Sequence, residues 1–134
     1  MPQIISMPEL TLLYAAIFGL MSIVISSRAG FLRGKTKISI GDGGNAEVLL
    51  AMRRHANFVE YVPLALIIIA LMEMNRAPDY AIHGLGGALI VARIAHALGL
   101  HQSKIMTGGR IAGAMLTALV TIAASIWSIV LFFQ

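Results

Sequence analysis

The sequence predicts an all-α integral membrane protein, a four-helix up-and-down bundle, and three observations carry that prediction. Of the 134 residues 58% are hydrophobic and only 12% charged, against roughly 45–50% apolar and 25% charged in soluble domains. The mean hydropathy is +0.85, and the apolar residues gather in segments centred on 10–27, 62–72, 80–100 and 111–133. The basic residues cluster in alternate connections, as they do in a chain that crosses a bilayer repeatedly. One membrane domain over residues 1–134 is expected, without repeats or a low-complexity tail.

The first span is expected over about 8–28. It follows Met7, Pro8 and Glu9 and closes on Arg28; no basic leader and no small-residue cleavage site precedes the basic loop, so it reads as a retained helix. The connection over 28–45 holds Gly41-Asp42-Gly43-Gly44. Glycines there allow positive φ and a tight reversal, with Asn45 as cap and Glu47 at the positive end of the next helix. A phosphate cradle is the functional alternative, but the run lacks the lysine and the serine or threonine of a P-loop.

The second helix is expected over 46–74. Its apolar part, 62–72, is shorter than the roughly 17–25 residues of a crossing. The polar part must therefore complete the span, which puts its charges in or near the headgroup level. Pro63 removes a bond to the carbonyl of Val59, so a kink is expected just past Glu60. The third span, 78–100, is interrupted by Arg93 and His96, and the fourth covers 108–133. Gly109, Gly113, Thr117, Thr121 and Ser125 on the fourth, and Gly84, Ala88 and Ala92 on the third, form small-residue stripes that let membrane helices approach closely.

Arg28, Arg33, Lys35 and Lys37 lie in or beside the first connection and Lys104 and Arg110 in or beside the third, whereas the second offers only Arg76. The positive-inside rule then places the first and third connections in the cytoplasm and both termini outside. The formal charge of +4 reads as topology, with anionic lipid headgroups rather than nucleic acid as partner. With no cysteine, any sulfur chemistry must use a thiol brought by the substrate. His55, His83, His96 and His101 form no HExxH-type set, so no metal is expected. Asp42 and Asp79 fall on opposite sides of the membrane, which leaves no Ser, His and Asp constellation.

Arg53, Asn57 and Glu60 fall within about 60° of one another at 100° per residue, with Tyr61 at the edge of that face. Ionisable groups at membrane depth are costly unless they face protein, water or ligand. A cation, an amide and a carboxylate aimed one way suit a small zwitterionic peptide. Arg93 and His96 share a face with Leu100 on the third helix. With Arg28 and Arg110, four arginines from four helices converge on one level. Snorkelling to headgroups is the plain alternative. A guanidinium beside a bound thiol favours the thiolate, and Arg110, at the positive end of the fourth helix, is placed for that task.

The string from Met52 to Pro63, MRRHANFVEYVP, resembles the helix-two signature of the MAPEG family, the membrane-associated proteins of eicosanoid and glutathione metabolism. VISSRAGF, ending on Phe31, is similar to the end of the family's first helix. The resemblance covers most of the chain. It implies a homotrimer of four-helix protomers binding glutathione as co-substrate between neighbours, facing the cytosol. It implies that Arg53, Asn57, Glu60 and Tyr61 contact glutathione, with His55 at a position that is polar in several members. Glu60 would pair the amino group, Arg53 and Arg28 a carboxylate. Arg93 matches a binding arginine of helix three, and Arg110 the thiol-activating arginine of helix four. Leukotriene-synthesising relatives carry tyrosines where this chain has His96 and Leu100, and the pattern around 41–45 and 72–75 is closer to a bacterial inner-membrane branch.

The reading that follows is a membrane-bound glutathione transferase, also able to reduce lipid hydroperoxides, with a lipophilic second substrate entering from the bilayer. The alternatives are a MAPEG-like lipid- or glutathione-binding protein without catalysis, and a small four-helix exporter in which Glu60 exchanges protons. Such exporters more often carry their carboxylate in the first span, where this chain has only Glu9 at the edge.

Overall fold

A computed structural model describes residues 7–101, 103 and 107–134; Lys104, assigned above to the third connection, lies outside the described residues. Four helices follow in order, α1 (Glu9–Thr36), α2 (Ala46–Met74), α3 (Asp79–Gly99) and α4 (Gly108–Phe132), and the described residues contain no strand. Each helix is long and apolar enough to cross a membrane.

Side-chain contacts fix the directions. Glu73, at the end of α2, meets Leu10 and Thr11 at the start of α1, and Tyr14 near the start of α1 meets His83 near the start of α3. The end of α3 abuts the start of α4 at Gly99 and Gly109. Consecutive helices therefore run antiparallel, as expected of an up-and-down bundle. The Asn45 cap forms as anticipated: its Oδ1 accepts from the N–H groups of Glu47 at 2.9 Å and Val48 at 3.1 Å. Gly41, Gly43 and Gly44 all take positive φ, between 56° and 76°, so the glycine run serves the reversal.

One expectation shifts. α1 does not close on Arg28 but runs two turns further to Thr36. There Leu32 packs with Val48 and Ala51 of α2, while Arg33 and Lys35 sit in the last turn, where the dipole favours cations. α2 remains one helix across Pro63.

The core runs through the middle of the bundle, where Phe18, Phe58, Ile69, Ile82, Leu89 and Val120 meet. Large apolar side chains such as Leu20, Ile23, Val24, Val91, Met115 and Ile126 point outward, which is the arrangement a hydrocarbon solvent permits. The α4 stripe is an α3 contact: a Cβ on Gly113 would stand 2.5 Å from the carbonyl oxygen of Ala92 and 2.5 Å from the backbone nitrogen of His96. Only a glycine lets these backbones come so close, and that approach brings His96 and Arg110 to one wall. Gly84, by contrast, meets nothing.

Candidate functional site

Where α2, α3 and α4 meet at the Arg110 end, a cavity of about 280 Å³ is lined by Arg53 and Asn57 of α2, His96 of α3 and Arg110 of α4, with Leu49, Leu50, Leu100 and His101. The local sequence explains the meeting. Arg53 and Asn57 are four apart on α2, so they project from one face. Thr107 caps α4, its Oγ1 accepting from the Arg110 N–H at 3.3 Å and donating to the Gly99 carbonyl. This ties the start of α4 to the end of α3 and presents Arg110 and a helix N-terminus to the same space, a combination that favours anions.

A second chamber of about 150 Å³ lies beside it, with Asn57 and His96 as common walls and Tyr61, Arg93, Ala114, Thr117 and Ala118 around the rest. Arg93 is only 2% exposed. Its guanidinium donates to Asn57 Oδ1 at 2.9 Å and to Thr117 Oγ1 at 3.5 Å, and it lies 6.0 Å from the centre of the Phe58 ring. Both hydrogen-bond acceptors are neutral, and Arg93 Nε and His96 Nδ1 are buried without a hydrogen-bond partner. A buried charge without a counter-charge is costly.

The residues singled out from the sequence separate into three groups. Arg53, Asn57, His96 and Arg110 share the larger cavity; Tyr61 and Arg93 join Asn57 and His96 in the smaller one. Arg28, His55 and Glu60 line neither. Arg53, Glu60 and Tyr61 are exposed on the protomer surface, and Arg28, also exposed, lies close enough to Arg54 to interact electrostatically. Among the described residues no group of three or more His, Asp or Glu side chains is arranged to hold a metal.

Sequence reasoning passed over two contributors. Arg54 donates to the carbonyl of Leu100 at 2.8 Å, and so pins the end of α3 beside the cavity. Next to Arg53 in sequence, it projects from another face and carried no periodic signal. Thr117 was counted only in the small-residue stripe, yet it stands about two turns past Arg110 on α4, and its hydroxyl both receives from Arg93 and donates to the Gly113 carbonyl at 2.7 Å.

Four membrane-length helices with a cavity lined by Arg53, Asn57, His96 and Arg110 at one end define a polytopic membrane protein. The chain belongs to the MAPEG family, whose model matches residues 11–130. It is similar to "Inner membrane protein YecN" of Escherichia coli strain K12 and of strain O6:H1, in each case 37% identical over 90 residues, covering 67% of this chain and 69% of the relative. No solved structure matches.

Proposed function

We propose that the protein is a membrane-bound glutathione transferase with peroxidase-like capacity, acting in a bacterial inner membrane with the cavity facing the cytoplasm and both termini outside. The observation that carries this reading is the cavity itself, which gathers Arg53, Asn57, His96 and Arg110 beside the N-terminus of α4. Glutathione as the peptide rests on the family resemblance, and the names of the E. coli relatives support the membrane.

In this reading Arg53 pairs a peptide carboxylate, while Asn57 and His96 bond its polar backbone. The Arg110 guanidinium and the helix dipole favour the thiolate over the thiol. The thiol proton leaves to solvent, and the thiolate sulfur bonds to the electrophilic carbon of a lipophile as the bond to that carbon's leaving group breaks and the leaving group departs as an anion with the electron pair. Glu60 pairs the peptide ammonium, and Arg28 and His55 reach the peptide from a neighbouring protomer. The functional unit is a homotrimer, as the family resemblance implies. That assembly also answers a physical need, since Arg53 and Glu60 are exposed on the lone protomer at a depth where exposure to lipid is costly.

A binding protein without catalysis is the second reading, favoured by Leu100. That apolar side chain lines the cavity at a position where leukotriene-synthesising relatives carry a tyrosine. Ultraviolet difference spectroscopy of the purified protein titrated with glutathione separates the two. Thiolate absorbance at neutral pH is the expected result. Binding without it supports the second reading, and no binding overturns both.

A further inference from the structure

Arg93 stands directly behind the larger cavity. It lines the smaller chamber and not the larger cavity, whereas Asn57 forms a wall of both. From its buried position on α3 the guanidinium donates to Asn57 Oδ1 of α2 at 2.9 Å and to Thr117 Oγ1 of α4 at 3.5 Å. A guanidinium has five N–H donors and no acceptor, whereas an amide carries both kinds of group. The half of the Asn57 amide that meets Arg93 must therefore be the oxygen, and the NH2 group occupies the other branch of the same plane. Among the described residues no acceptor receives from Asn57 Nδ2, yet Nδ2 is not one of the buried atoms left without a partner. It is accessible, on the side of the amide turned away from Arg93 and toward the larger cavity.

We propose that Arg93 is a positioning residue, which holds the Asn57 amide in one orientation so that Asn57 offers the larger cavity a donor and never an acceptor. This rests on the glutathione reading, in which the family resemblance gives Arg93 a direct contact with the peptide; here it acts through Asn57 and touches no ligand. An unrestrained asparagine serves a donor or an acceptor equally well by turning its amide over. This one cannot turn without setting its NH2 group against the N–H groups of Arg93, where both sides would lose their bonds. Arg53 and Arg110 are donors only as well, so the side chains that α2 and α4 bring to the cavity as polar walls all call for acceptors. A carboxylate or a peptide carbonyl meets that demand. An ammonium or an amide N–H brought to Asn57 is refused, and the peptide's amino group is left to lie elsewhere.

The test uses the full-length protein in detergent, with nitrogen-15 in the asparagine side-chain amides and S-methylglutathione as a probe that brings no thiol. The chain has three asparagines, Asn45, Asn57 and Asn75, so Asn57→Asp identifies the Asn57 NH2 signal by its loss. Saturation with the probe should move that signal more than the other two. In calorimetry Asn57→Asp, which keeps an oxygen toward Arg93 and replaces the donor by a second oxygen, should lose about tenfold or more in affinity. Arg93→Met frees the amide, and ordering it again should cost about twofold to tenfold. Arg93→Lys, which keeps a donor toward Oδ1, should recover the parental affinity and NH2 shift. Arg93→Met added to Asn57→Ala should cost nothing further, because its effect passes through Asn57. The proposal is overturned if Asn57→Asp binds like the parent, or if Arg93→Met costs as much in the Asn57→Ala background as in the parent, since Arg93 would then serve the peptide directly. Probe binding with an unmoved Asn57 signal, read on the parent protein, overturns this inference alone. A moved signal without thiolate absorbance on adding glutathione overturns the transferase reading alone, and a probe that does not bind overturns both.

Discussion

The two ends of the bundle both bury charge, and they treat it in opposite ways. At the Glu73 end the carboxylate accepts from the N–H of Leu10 at 2.7 Å, the N–H of Thr11 at 2.7 Å and the hydroxyl of Thr11 at 2.6 Å. It closes the first turn of α1 from another helix, in place of a side-chain cap that Pro8 does not provide. Beside it the Tyr14 hydroxyl bonds His83 Nδ1 at 2.9 Å. At the Arg110 end the guanidinium of Arg93 has only neutral hydrogen-bond partners, the buried Arg93 Nε and His96 Nδ1 lack any, and two neighbouring spaces share Asn57 and His96 as walls. A polar network with its bonds made holds helices together. One with bonds left open carries an unmet cost.

Breaking the satisfied end should have the largest effect on stability. Glu73→Ala leaves two backbone N–H groups and a hydroxyl without their acceptor. Each hydrogen bond to a charged group contributes about 1.5–3 kcal/mol, so a loss of about 3 kcal/mol or more is expected, read as a lower midpoint of thermal unfolding in detergent. Glutathione affinity of the surviving folded fraction should be close to the parent's. A variant as stable as the parent would erase the contrast between the ends.

Glu60→Gln should do the reverse. It removes the charge proposed to face the peptide ammonium, and losing one partner of a desolvated pair typically costs about 2–5 kcal/mol of binding. Calorimetry should show that loss with an unchanged unfolding midpoint, because Glu60 is exposed in the protomer. Equal affinity would remove Glu60 from the site.

Arg110→Ala probes chemistry more than affinity. Loss of the guanidinium should raise the bound thiol's pKa by about one unit, equivalent to about 1.4 kcal/mol. Turnover then falls about tenfold at neutral pH and recovers as pH rises, since the higher pH restores the thiolate. Peptide affinity should hold, because Arg53 still engages the carboxylate. A parental pH–rate profile would reduce Arg110 to a snorkelling side chain. The smallest effect is expected at Asn45→Ala, where losing the cap of α2 costs about 1 kcal/mol. It should lower the unfolding midpoint slightly without altering the cavity's ligand preference.

The unequal legibility of the site has a physical cause. Arg53, Asn57, Glu60 and Tyr61 were readable because they lie within nine residues of one helix, where fixed periodicity assigns a face. The proximity of His96 to Arg110 was only inferred from their shared level, and it is made by the contact of Gly113 with α3. The hydrogen bond from Arg54 to Leu100 spans 46 positions in the chain, and no local pattern encodes it.

By itself the sequence determined what depends on composition and local geometry. Its apolar segments specify four membrane-length helices, Asn45 specifies a cap, Gly41 to Gly44 specify a reversal, and the Met52 to Pro63 string marks the family. Only the tertiary structure decided that α1 continues past Arg28, that Glu73 closes the first turn of α1, and that the arginines divide among separate environments. Arg53 and Arg110 share one cavity, Arg93 lies in another, and Arg28 stands apart on the surface. The reason is one of range. A helix face follows from neighbours three and four residues away, whereas whether a buried cation finds a partner depends on which side chains other helices bring to it.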